Sequence, residues 1–96
     1  MPNMVFTEKA FEEYLEWQRD KETMKQINKL LKDVSRSPFK GIGKPEPLRH
    51  GDSGKWSRRI NDTDRLVYRV EKDSIIIYQF SYVSTIFLMF SSVNSF

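Results

Sequence analysis

No cysteine occurs in the 96 residues, which excludes a disulfide framework, a thiol nucleophile and any thiolate metal site. Histidine is nearly absent too: His50 stands alone, too few for a histidine-built zinc centre, so no metal is expected. Glycine and proline number four each, and five of these eight crowd into one decade as Pro38, Gly41, Gly43, Pro45 and Pro47. The segment from Met1 to Phe11 lacks a basic start followed by a long apolar run, because Glu8 and Lys9 interrupt it. A secretory leader is therefore not expected, and the cytoplasm is the expected location. What the chain does have is apolar mass: 39% hydrophobic residues and 14% aromatics supply one core and exclude disorder of the whole chain. At this length a single domain is the expectation.

The net charge of +3 is modest, but it is unevenly spread. Residues 1–39 balance seven basic against seven acidic side chains, whereas residues 40–69 hold eight basic (Lys40, Lys44, Arg49, Lys55, Arg58, Arg59, Arg65, Arg69) against four acidic. A concentrated basic middle third suits a polyanion, nucleic acid first among the candidates, or simply a solvated basic face.

Periodicity gives the elements. Asn3 to Phe6 reads as a short strand, and Thr7 is placed to cap a helix from Glu8 to about Arg19. Its stripe of Phe11, Tyr14, Leu15 and Gln18, flanked by Ala10 and Trp17, is expected to be core. Asp20 caps a second helix whose stripe is Met24, Ile27, Leu30, Leu31 and Val34, so the two helices form a hairpin. The proline- and glycine-rich stretch after Ser35 cannot continue a helix or sit in a central strand, and reads as a long loop with functional potential. Three β-rich runs follow, Trp56–Ile60, Arg65–Val70 and Ile75–Phe80, separated by tight turns. The order is β-α-α-β-β-β, an α+β domain with an antiparallel sheet packed against a two-helix hairpin.

The last 23 residues, from Ser74, carry no charge, and the final 14 (83–96) include eight apolar residues. Nine of the 23 are Ser, Thr, Gln or Asn and the sheet needs Ile75 to Phe80, so an extra strand or a packed or sticky apolar arm is favoured over a membrane span.

RNA can be cut by its own 2′-hydroxyl when a base takes the hydroxyl proton, a cation stabilises the phosphorane-like transition state and an acid protonates the leaving oxygen. Glu46, held in Lys44-Pro45-Glu46-Pro47-Leu48, has backbone restraint suited to a base, although an exposed loop glutamate paired with a lysine satisfies the same residues. Arg49, Arg58, Arg59 and Arg65 are the arginines available to phosphate, and none stands out without geometry. Strand alternation sets Arg58 on one face with Trp56 and Ile60, and Arg59 on the other.

The combination Gly41-Ile42-Gly43-Lys44-Pro45-Glu46-Pro47-Leu48, Trp56-Ser57-Arg58-Arg59-Ile60 and Arg65-Leu66-Val67-Tyr68 resembles the YoeB (Txe) family, RelE-like toxins of bacterial type II toxin-antitoxin modules. The resemblance covers about residues 4–82. It implies the RelE-like fold and a ribosome-dependent mRNA endonuclease needing no cofactor, neutralised by a YefM-like antitoxin and often a homodimer. By motif position it implies Glu46 as general base and Arg65 as the transition-state arginine. Arg49, where the family usually has lysine, Arg59, Lys44 and Tyr82 would contact substrate. The pattern departs at the C-terminus, where the family ends in Arg/Lys-Tyr-His-Tyr and this chain reads Ser81-Tyr82-Val83-Ser84, followed by twelve further residues. Val83 and Ser84 replace the family's general-acid histidine and a substrate-facing tyrosine. The expectations are a weakened nuclease or, alternatively, a toxin-fold module that binds ribosome and antitoxin without cutting. His50 reads as a solvated loop residue rather than a replacement acid.

Overall fold

The computed structural model of the chain describes residues 2–48 and 54–82. In chain order the elements are β1 (Asn3–Phe6), α1 (Glu8–Trp17), α2 (Lys21–Arg36), β2 (Glu46–Pro47), β3 (Lys55–Arg59), β4 (Asp64–Val70) and β5 (Ser74–Tyr82). Both helix starts are set by the residues expected to set them. Thr7 Oγ1 accepts the Ala10 amide at 3.1 Å, and Asp20 Oδ1 accepts the Thr23 amide at 3.0 Å, each satisfying one of the donors that a first helical turn leaves over.

The five strands form one sheet in the order β1-β5-β4-β3-β2. The meander β3-β4-β5 is antiparallel as expected, but β1 runs parallel to β5, Asn3 opposite Ser74 and Phe6 opposite Ile77, so the sheet is mixed. The helix pair between β1 and the meander is the crossover that a parallel neighbour requires. The β4–β5 ladder slips between Val67 and Tyr68: Val67 faces Gln79 and Tyr68 faces Ile77, leaving Tyr78 as the extra residue of a bulge. A second departure from expectation is β2, a two-residue strand inside the proline-rich loop, paired antiparallel to β3 with Pro47 opposite Trp56. It lies at the sheet edge, where proline is tolerated.

The core lies between the helix pair and one face of the sheet. Ile27, Leu30 and Val34 of α2 meet Leu66, Tyr68, Ile75, Ile77 and Phe80, all fully buried. Each large aliphatic among them contributes about 1.5–3 kcal/mol of transfer free energy. The α2 stripe is as read from the sequence, with Leu31 half-buried at its margin.

The α1 stripe is not. Phe11 and Leu15 are 53% and 51% exposed, and the face turned inward is Ala10, Tyr14 and Trp17. What draws that face inward is a set of specific partners: Tyr14 packs its ring 5.6 Å from Phe6 and 5.7 Å from Phe80, and Trp17 Nε1 donates to Phe80 O at 2.7 Å. Glu13 Oε1 accepts the Phe80 amide at 2.8 Å beside them. No described helix is long and apolar enough to cross a membrane; the charge-free segment 83–96 lies outside the described residues.

Candidate active site

Strand pleating sorts the basic middle third into two populations. Residues paired across a sheet share a face, as do residues two apart along a strand. Glu46 is opposite Ser57, Arg59 is opposite Arg65, and Arg65 is opposite Ser81. Glu46, Ser57, Arg59 and Arg65 therefore occupy the sheet face turned away from the helices. There Arg65 Nη1 donates to Glu46 Oε1 at 3.0 Å, with the arginine side chain 20% exposed and the carboxylate 52% exposed. Glu46 is thus an exposed paired glutamate, but its partner is Arg65, nineteen residues along, rather than a lysine. Arg59 lies beside the pair and approaches Asp62 at 3.5 Å. Lys44, exposed, precedes Glu46 by two residues and holds φ at +50°, an uncommon backbone conformation for a residue with a side chain.

Arg58 is on the opposite face and cannot serve a phosphate: it is fully buried. Its five N–H donors meet five acceptors. Nη1 donates to Asp33 Oδ2 at 2.5 Å and to Ile42 O at 3.0 Å, Nη2 to Ser37 O at 2.5 Å and Lys40 O at 3.0 Å, and Nε to Tyr68 Oη at 3.2 Å. Tyr68 in turn donates to Pro38 O at 2.6 Å, and Asp33 Oδ2 also accepts the Ile42 amide at 3.0 Å. The guanidinium thus binds three carbonyls of the loop between α2 and β2. Two glycines make the close approach possible. At Gly41, φ +125°, a Cβ would stand 2.0 Å from Asp33 Oδ2; at Gly43, φ +79°, it would stand 2.7 Å from Leu30 Cδ2. Gly43 O then accepts the Arg59 amide at 2.7 Å, tying the loop to β3 before Glu46 begins β2.

Strand alternation had placed Arg58 with Trp56 and Ile60, and an arginine on a strand's apolar face is the signal that a buried acceptor set must exist. Tyr68 carries the matching trace: burial pushes its phenol upward from 10.0, against the opposing effect of Arg58, so it remains a proton donor.

The hydrogen bond from Arg58, followed by the Ile42 amide, holds the Asp33 carboxyl below its ordinary 3.8. The sign follows directly. A carboxyl depressed by folding contributes stability that is fully present above about pH 3.8 and is lost as pH falls below that value toward the folded-state pKa. Asp33→Asn is expected to flatten that part of the acid-unfolding curve; urea unfolding from pH 5 to pH 2 measures it, and an unchanged pH dependence would remove Asp33 from the account.

Of the sequence-predicted site residues, Glu46 and Arg65 are in contact, Arg59 is the cross-strand neighbour of Arg65, Lys44 precedes β2 by two residues, and Tyr82 closes β5 opposite Asp64. Arg49 and His50 lie outside the described residues. Among the described residues no three His, Cys, Asp or Glu side chains cluster as metal ligands.

The profile of the family described as the YoeB-like toxin of bacterial type II toxin-antitoxin systems matches residues 6–83. A Streptomyces coelicolor protein, Toxin YoeB, is 49% identical over 80 residues, covering 82% of this chain and 95% of that protein. A solved YoeB dimer from Staphylococcus aureus superposes with a TM-score of 0.81 at 44% identity, covering 86% of this chain and 98% of its own. The heterotetrameric YoeB–YefM toxin–antitoxin complex from the same species superposes with a TM-score of 0.79 at 43% identity, covering 88% and 99%. With the fold and these likenesses in agreement, the chain belongs to the YoeB-like toxins of bacterial type II toxin–antitoxin systems.

Proposed function

We propose that this toxin is a ribosome-dependent mRNA endonuclease in which Glu46 takes the proton of a 2′-hydroxyl and Arg65 stabilises the charge that develops on the attacked phosphate. The observation that carries the reading is the 3.0 Å contact between the two on the basic sheet face turned away from the helices. Arg65 occupies Oε1, so Oε2 is the oxygen offered to the hydroxyl. Attack of the 2′-oxygen on phosphorus expels the 5′-oxygen, which needs a proton, and a fixed guanidinium beside the site lowers the cost of the extra negative charge. Arg59, Lys44 and Arg49 are assigned to phosphate contacts, and Tyr82, the last residue of β5, to a substrate contact. A YefM-like antitoxin and a second copy of the chain are the proposed protein partners, supported by the S. aureus complexes. The cytoplasm, where ribosomes and mRNA are, is the proposed location.

A binding-only toxin is the second reading, and one sequence observation favours it: Val83 and Ser84 offer no proton donor matched to the leaving oxygen where the family has His-Tyr. Loss of a general acid costs roughly 10²–10⁴ in rate. Programmed ribosomes carrying a defined mRNA distinguish the readings. Cuts by the 96-residue chain support the nuclease; binding without cuts, with cutting restored by Val83→His and Ser84→Tyr in a chain ending at residue 84, supports the disarmed scaffold.

Arg59→Gln is expected to weaken RNA binding across sequences alike and to make the log–log salt slope shallower by about 1, because one phosphate contact releases about one counterion. Titrations at several salt concentrations measure it; an unchanged slope would assign Arg59 to Asp62 alone.

A further inference from the structure

We propose that Asp33, Arg58 and Tyr68 are positioning residues that set where Glu46 stands against Arg65, so that the buried clamp tunes the rate of cleavage and not the affinity for RNA. The inference rests on the reading of Glu46 as the base. Three observations carry it.

First, the loop between α2 and β2 has little apolar anchorage of its own. Ile42 is 43% exposed and Phe39 53%, the latter resting on Trp56 with ring centroids 4.9 Å apart. What fixes its path is the guanidinium of Arg58, bound to Ser37 O, Lys40 O and Ile42 O, with Tyr68 on Pro38 O and Asp33 on the Ile42 amide. Second, the clamp and the site share a strand. Arg58 stands between Ser57, the partner of Glu46, and Arg59, the partner of Arg65. A change in how Arg58 sits is transmitted to the backbone beneath both catalytic side chains. Third, the materials chosen are poor for stability and good for geometry. A buried ion pair gains little over a well-packed apolar cluster of similar volume, whereas five directed hydrogen bonds allow one loop path only. Misplacing a base by about 1 Å costs up to about 10²-fold in rate.

Tyr68→Phe tests the proposal, because it removes one hydroxyl and keeps the ring in the core. Amide exchange in the full chain is the first readout. Exchange at Ile42, Arg59 and Leu48, whose N–H groups bond Asp33 Oδ2, Gly43 O and Lys55 O, is expected to quicken roughly tenfold. Core amides of β5 should not follow. Unchanged exchange at these three positions overturns the clamp, whether or not the chain cuts RNA. The second readout is cleavage on programmed ribosomes by the full chain, or by the form restored at positions 83 and 84. Tyr68→Phe is expected to lower kcat about tenfold with KM little changed. In the Glu46→Gln background the same substitution should cost nothing further, since it acts through Glu46. Equal losses in both backgrounds, or a matching loss in the core variant Ile75→Val, overturn a positioning role. Should Glu46→Gln itself leave cleavage intact, the assignment of the base fails, and the exchange result still decides the clamp.

Discussion

Arg58→Met is expected to destabilise the fold by about 3–5 kcal/mol, the largest effect of any single substitution considered. Methionine fills the space but donates nothing. Asp33 loses its charge partner, Lys40 O and Ile42 O lose their guanidinium donors, and Ser37 O keeps the Lys40 amide at 3.4 Å in place of the shorter guanidinium bond. The penalty is the desolvation of the groups left behind, not the intrinsic worth of the pair. Against a typical total of about 5–15 kcal/mol such a loss leaves a small domain marginal. Urea unfolding monitored through Trp17 and Trp56 measures it. A cost under about 1 kcal/mol would mean that the loop re-forms its bonds to water and that Arg58 is not its anchor. The surface pair of Arg59 and Asp62 provides the contrast: at 3.5 Å with Asp62 fully exposed, solvent screens the pair and its removal should leave stability near its original value.

Glu46→Gln is expected to lower cleavage by about 10²–10⁴ while leaving folding and RNA binding near their original values. The carboxylate is half exposed and paired at the surface, so its charge contributes little to stability, and the amide keeps an oxygen for Arg65. The loss should therefore fall on kcat. Undiminished cleavage by this variant would assign the base elsewhere in the chain.

Much of this architecture was legible in the residues. Thr7 and Asp20 cap the helices they were expected to cap, the α2 stripe packs as its spacing required, and the three β-rich runs pair as a meander. The α1 face was misjudged because two stripes compete at helical spacing, and only tertiary partners decide between them. Trp17 finds a carbonyl and Tyr14 two rings, while Phe11 and Leu15 find no such partners in the core. The parallel docking of β1 is a property of the crossover, not of four residues. At the site, alternation separated Arg58 from Arg59 but could not say which face was covered, since arginine ordinarily reads as surface. The pairing of Glu46 with Arg65 needed β2, a strand in a segment whose prolines argued against one. The catalytic roles themselves came from resemblance, because a glutamate beside an arginine is also an ordinary surface ion pair.

The most direct test of the central claim is the chemistry of the new RNA ends. On programmed ribosomes, with the full chain or the form restored at positions 83 and 84, attack by the 2′-hydroxyl predicts a 2′,3′-cyclic phosphate on the upstream fragment and a 5′-hydroxyl on the downstream one, both lost with Glu46→Gln. Fragments ending in a 3′-hydroxyl and a 5′-phosphate would contradict it, because water rather than the ribose would then be the nucleophile.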